Sequence, residues 1–153
     1  MNNFNLRPLI IADYDAVYAL WQQTEGMGLN DSDTREAIAA FLERNPGLSA
    51  VACDTNNQIV GAILCGHDGR RGYLHHLAVA RTHRKQGIGR TLVDSCLEKL
   101  AALKIKKCNL FLFANNTEGR TFWLHQDWSA REDIVLVQKE LKPDKSAPCG
   151  CSC

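Results

Sequence analysis

The stretch that most constrains this chain is residues 76–92, HLAVARTHRKQGIGRTL. An apolar run, Leu77-Ala78-Val79-Ala80, gives way to Arg81, Arg84, Lys85 and Arg90 set around Gly87 and Gly89. From Gly89 onward Leu92, Val93, Cys96, Leu97, Leu100 and Leu103 recur at helical spacing, which predicts a long amphipathic helix. A buried strand therefore runs through a glycine loop directly into a helix. Such a junction presents unpaired backbone N–H groups at the positive end of the helix dipole and suits an anion. Gly87 and Gly89 let phosphate oxygens approach the main chain, and the cations line the rim. A phosphate-binding P-loop needs Gly-Lys-Ser/Thr here, but Gly89 is followed by Arg90 and Thr91. A dinucleotide fingerprint needs a third glycine where Leu92 stands.

The rest of the chain reads as alternating strands and helices. Strands are expected at residues 5–11, 48–53, 58–66, 73–79, 108–114 and 134–141, and helices at 13–23, 33–45, 89–103 and 117–126. Asp13 is the expected cap of the first helix, and the Asp33 to Glu36 spacing reads as a capping box for the second. At 153 residues and a formal net charge of +1, one domain at 1–142 is expected, with a tail at 143–153. The near-neutral balance makes the cations of 81–90 a local feature and argues against nucleic-acid and membrane-surface partners. No leader and no long apolar run is recognised, so the expectation is a soluble, cytoplasmic protein. Of the seven cysteines, Cys53, Cys65, Cys96 and Cys108 sit in apolar segments and are read as reduced core residues.

The quoted stretch resembles the GCN5-related N-acetyltransferase (GNAT) family. Its Arg/Gln-x-x-Gly-x-Gly/Ala signature stands here as Arg84-Lys85-Gln86-Gly87-Ile88-Gly89 behind Leu77-Ala78-Val79. A second family element, Asn-x-x-Ala-x-x-Phe-Tyr-x-x-x-Gly-Phe, matches in spacing from Asn116 through Gly119, Phe122, Trp123 and Asp127 to Trp128. The resemblance implies an α/β fold with a mixed, mostly antiparallel sheet of about six to seven strands and about four helices. It implies a splay between the fourth and fifth strands. It also implies acetyl-CoA as co-substrate, held by Leu77, Ala78, Val79, Arg84, Lys85, Gln86, Gly87, Ile88, Gly89, Arg90 and Asn116, with no metal needed for catalysis. The acceptor would be a small-molecule or protein amine, and the enzyme a monomer or homodimer.

Attack on a thioester requires a neutral amine, whose ordinary pKa near ~10 leaves it protonated at neutral pH. Strand parity places Tyr73, His75, Leu77 and Val79 on one face, and Leu74, His76 and Ala78 on the other. The strand resembles that of the serotonin N-acetyltransferase branch, where histidines assist deprotonation through water. His75 matches one of them, Tyr73 stands at the other, and His76 is expected to be structural. Trp123 occupies the slot of the family's tyrosine acid, Phe111 the slot of a glutamate base, and Asp127 that of a glycine. Glu25, Met27 and Leu29, between the first two helices, are the acceptor-site candidates. Two other readings stay open: an acyl-CoA-binding sensor without turnover, and a soft-metal site at Cys149, Cys151 and Cys153 as the main function.

Overall fold

A computed structural model describes residues 3–142, so the tail cysteines Cys149, Cys151 and Cys153 lie outside the described residues. The elements run β1 (Phe4–Pro8), α1 (Tyr14–Gln22), α2 (Arg35–Arg44), β2 (Ala50–Asp54), β3 (Ile59–His67), β4 (Gly72–Val79), α3 (Ile88–Ala102), β5 (Cys108–Leu110) and α4 (Thr117–Leu124). The strands form one sheet in sequential order, β1 to β5. Neighbours are antiparallel from β1 to β4, and β4 and β5 are parallel. A parallel pair cannot be joined by a hairpin, and α3 supplies the crossover.

Side-chain alternation divides the core between the two faces of the sheet. Ala50 and Ala52 of β2, with Ile63 and Cys65 of β3, pack toward Leu92, Val93 and Cys96 of α3. Val51, Cys53, Ala62 and Leu64 pack on the other face with Val17 and Trp21 of α1 and Ile38 of α2. Glycines let the layers close. A Cβ on Gly61 would stand 2.9 Å from the Ile88 side chain, and one on Gly72 would stand 2.5 Å from Leu100. The cysteine reading holds: Cys53, Cys65 and Cys96 are buried, Cys108 is half-buried, and all are free thiols. A hydrogen bond with Cys96, reinforced by burial, pushes the Cys65 thiol up, and burial pushes Cys108 up to about 12.

Two expectations are corrected. The mixed, mostly antiparallel α/β architecture stands, but the described residues hold a five-stranded sheet rather than six or seven strands. Residues 134–141 form no strand, and Ile134, Val135, Leu136, Val137 and Leu141 are exposed. β5 ends at Leu110, and Phe111 and Phe113 beyond it are exposed. The cap of α2 is Thr34, whose hydroxyl accepts from the Ala37 N–H at 3.2 Å. Asp33 instead closes a 3₁₀ turn, Asp31–Asp33, by accepting from the Asn30 N–H at 3.0 Å.

Asp13 stands at the cap position of α1, but its carboxylate takes a two-pronged contact from Arg7 at 2.7 and 2.9 Å and one from the Ile10 N–H at 3.0 Å. These bonds, Arg7 first, hold it below the usual carboxylate range against the opposing effect of burial. Its native pKa is depressed, so its stabilisation is present above the unfolded value of ~3.9 and is lost as pH falls through the lower native value. Asp13→Asn is expected to cost roughly 1–2 kcal/mol at pH 7, a figure discounted for the partly exposed Arg7. The difference from wild type should shrink toward pH 3, as read from urea unfolding across that range.

Candidate active site

The site is organised by an irregularity in β4. Its pairing with β3 passes from Ala62↔Ala78 to Leu64↔His75, so Ile63 alone opposes both His76 and Leu77. His76 adopts a left-handed backbone, φ 52°. This is a β-bulge, and it shifts side-chain parity by one residue. Leu74, Leu77 and Val79 contribute to the α3-side core, while Ala78 belongs to the α1/α2 side. His75 packs against Phe41 of α2 at 6.1 Å and His76 against Trp21 of α1 at 4.9 Å, so both face α1 and α2. The expected split of the histidines between two faces is therefore wrong, because an alternation rule cannot anticipate an inserted residue.

Tyr73 and His75 are brought together as nearly parallel rings with centroids 6.4 Å apart, and Phe111 stacks on Tyr73 at 6.2 Å. Burial, assisted by neighbouring His76 and opposed by Asp33, lowers the His75 pKa from its ordinary 6.5. The ring is thus neutral and able to accept a proton at pH 7. His76 Nε2 lies 2.7 Å from Asp33 Oδ1, a contact made across 43 residues of sequence.

β4 pairs with β5 only from Gly72 to Leu74, before the bulge, and among the described residues the outer edge of Leu77–Val79 faces no strand. The Ala80 N–H donates to Val60 of β3 at 2.8 Å. By alternation, the N–H groups of Val79 and Leu77 point to the opposite, open edge. The chain then enters α3 through Lys85 (φ 63°) and Gly87 (φ 80°), both left-handed. No side chain caps α3, which leaves the N–H groups of Ile88, Gly89 and Arg90 for an anion. A Cβ on Gly87 would meet nothing within 4 Å, whereas one on Gly89 would stand 3.3 Å from Phe122 of α4. Gly87 therefore opens the cradle, and Gly89 admits α4. Arg84 Nε donates to the Val79 carbonyl at 3.2 Å, tying the loop to the strand end. Ile88 is buried in the core, while Gln86 and Arg90 are exposed.

An open cavity of about 710 Å³ lies over this cradle, lined by Glu25, Arg81, Arg84, Lys85 and Glu118. Glu25 is ion-paired with Arg81, and its other oxygen lies 3.5 Å from Arg84. Its carboxylate thus faces cations of the cradle rather than standing free in an acceptor pocket. Met27 and Leu29 are half-buried against the α1/α2 core. Asn116 caps α4, its side-chain oxygen accepting from the Gly119 N–H at 2.9 Å. Trp123 packs edge-on against Trp128 at 5.0 Å. Asp127, in the motif's glycine slot, adopts φ 65°, a left-handed conformation that aspartate tolerates better than most residues.

Sequence reasoning missed Asp33 as a neighbour of the histidines because its capping-box spacing accounted for it locally. A buried carboxylate at 4% exposure would have been the signal, and burial is not written in a loop sequence. Among the described residues, no group of His, Cys, Asp and Glu is placed to hold a metal ion. Among them, too, no helix is long and apolar enough to cross a membrane.

Comparison with known proteins shows the family. Residues 14–127 match the model of the acetyltransferase (GNAT) family, and the chain belongs to that family. An acetyltransferase of Pectobacterium atrosepticum is 32% identical over 133 residues, covering 87% of this chain and 92% of the relative. The solved GNAT-family acetyltransferase of Staphylococcus aureus superposes with a TM-score of 0.73 at 14% identity, covering 87% of this chain and 89% of that one. The PaiA N-acetyltransferase of Thermoplasma acidophilum, solved with coenzyme A, gives 0.69 at 17% identity, covering 80% of this chain and 87% of that one.

Glu25 offsets the positive charge of Arg81 and Arg84. Glu25→Gln is therefore expected to tighten coenzyme A binding by roughly two- to ten-fold at low ionic strength, with the gain fading as salt screens it. Calorimetric titration at low and high salt checks this, and weaker binding by the variant would contradict it.

Proposed function

We propose that this acetyltransferase moves acetyl from acetyl-CoA to a primary amine by direct attack on the thioester, with His75 as proton acceptor. The observation that carries the reading is the continuous donor path from the open edge of Leu77–Val79 to the uncapped, glycine-lined start of α3. That path offers backbone N–H groups first and phosphate-binding charge second. Residues Arg84 to Arg90 would hold the pyrophosphate, and the Leu77–Val79 edge would pair with the pantetheine arm. The coenzyme A complex of the T. acidophilum relative supports the choice of ligand.

Acetyl-CoA supplies the acyl group already activated as a thioester. The Val79 N–H, aimed at the open edge, stabilises the oxyanion that forms on attack. Neutral His75, directly or through water, takes one proton from the incoming ammonium, leaving the nitrogen lone pair free to form the new C–N bond. As the C–S bond breaks, the second nitrogen proton passes through solvent to the thiolate. A thiol pKa near ~8.5 makes that thiolate an acceptable leaving group although Trp123 is no acid. The acceptor is a small-molecule amine or a protein amine. Residues 143–153 enter no step, and their deletion is expected to leave turnover within a few-fold.

Incubation with acetyl-CoA and a panel of small amines, amino acids and peptides should release free thiol and acetylated amine in equal amounts, read by mass spectrometry. Tight coenzyme A binding without turnover on any amine would favour the sensor reading instead. Because His75 must be neutral, kcat/KM should fall as pH drops through a value below 6.5, the direction in which burial moves this ring. His75→Ala should lower kcat by roughly 10²-fold or more while leaving coenzyme A affinity unchanged.

A further inference from the structure

We propose that the acceptor is an acidic peptide: its amine meets His75, and a carboxylate farther along its chain is held by Arg71 and Lys107, just ahead of β4 and β5. The inference rests on the acetyl-transfer reading above. Where the two strands pair, Gly72 stands beside Cys108, Tyr73 beside Asn109 and Leu74 beside Leu110, and the Gly72 N–H donates to the Lys107 carbonyl at 2.9 Å. Leu74, Cys108 and Leu110 pack with the α3-side core. By alternation Arg71, Tyr73 and His75 therefore share the opposite face with Lys107, Asn109 and Phe111. The ring contacts agree with this parity. Tyr73 stacks on both His75 and Phe111, and a Cβ on Gly66, which pairs with Tyr73 on β3, would stand 2.9 Å from Phe41 of α2. This end of the face is uncovered: Asn109 is exposed, and Phe111 and Phe113 are 58% and 59% exposed.

The charge where this face begins is unbalanced. Arg70, Arg71, Lys106 and Lys107 are adjacent through the β4–β5 pairing, and among the described residues none of them makes an ion pair. The Arg71 guanidinium donates to the Arg70 carbonyl at 3.1 Å. Asp68, the carboxylate of the same turn, is engaged by the main chain: its Oδ1 accepts from the N–H groups of Arg70 and Arg71, each at 2.8 Å. In a chain of formal net charge +1 these cations form a local field that suits a carboxylate. Spacing sets the kind of molecule that can use both ends. From Arg71 to His75 the strand advances about 13 Å, at a rise of about 3.3 Å per residue. The amine and carboxylate of a free amino acid are joined through one carbon and cannot span that distance. An extended peptide advances at the same rise, so a carboxylate roughly three to five residues from the amine reaches Arg71 and Lys107. Between the ends, Tyr73 and Phe111 offer the peptide an aromatic floor, and Asn109 a donor and an acceptor. The chemistry is unchanged: the C–N bond forms, the C–S bond breaks, and the peptide carboxylate takes part in neither.

The test is steady-state kinetics on peptides of one length with a single free amine, either the α-amine or one lysine amine. Each carries one glutamate beside the amine, about four residues away or about eight residues away. Glutamine and lysine versions of the middle peptide complete the set. With wild type, the middle glutamate peptide should exceed its glutamine version roughly ten-fold in kcat/KM at low salt, through KM rather than kcat, and the gain should fade as salt screens it. The arm that is acetylated identifies the amine, and either arm sustains the proposal. Arg71→Glu combined with Lys107→Glu should erase this preference and favour the lysine version, with the KM for acetyl-CoA unchanged. A merely structural role for the two residues would not create that new preference. Equal rates on glutamate and glutamine peptides, a preference that ignores the position of the glutamate, or a double variant with the wild-type preference would overturn the proposal. If the double variant does not fold, Lys107→Glu alone, at an exposed position, should weaken the preference roughly three-fold or more, and no change there would overturn the proposal. A wild type that acetylates small amines but no peptide removes this inference alone, whereas one that acetylates no amine removes the function it rests on.

Discussion

The site depends on one inserted residue in β4. Where β3 contributes Ile63, β4 contributes His76 and Leu77, and the extra residue is accommodated by the left-handed backbone at His76. A non-glycine residue in that region carries a conformational cost of about 1 kcal/mol or more. It is offset by contacts that a regular strand would not make, namely Asp33 on the ring nitrogen and Trp21 against the ring face. After Leu74 β4 no longer pairs with β5, and the donors of Leu77 and Val79 are left toward an open edge.

The segment between α1 and the 3₁₀ turn couples this opening to its surroundings. Glu25 reaches the cations of the cradle, Gly26 lies against the Asn116 side chain, and Gly28 lies against the Phe113 ring. A Cβ on Gly28 would stand 2.9 Å from that ring, so only the smallest residue lets the segment pass there. The segment thus spans from the end of β4 to the loop after β5. Its far end, Asp33, holds His76. Charge at the cradle and geometry at the histidines are carried on one short stretch of chain.

Much of the fold was legible because periodicity and punctuation are local. The apolar spacing after Gly89 marked α3, and Leu92, Val93, Cys96 and Leu100 are indeed buried. The alternation of strands and helices along the chain as far as α4, and the glycine entry to α3, followed from the same local signals. Asn116 keeps the second motif's asparagine and caps α4, and Asp127, in the motif's glycine slot, sits in a left-handed turn that aspartate tolerates. Residues 134–141 misled, because an apolar run specifies a strand only where its backbone pairs with a neighbour, and pairing is decided by the tertiary structure.

By itself the sequence determined which residues would meet along the chain: the strand, the left-handed glycine turn and the helix start that together define an anion cradle, and through it the family. Those features rest on backbone conformation and hydrogen bonding within a few residues, which local residue types set. Only the tertiary structure decided that His75 and His76 share a face, that Asp33 stands behind His76 rather than at the cap of α2, and that Glu25 faces cradle arginines. Each of these depends on a register shift or on contacts between segments distant in sequence, and those arise from packing the whole sheet between its helices.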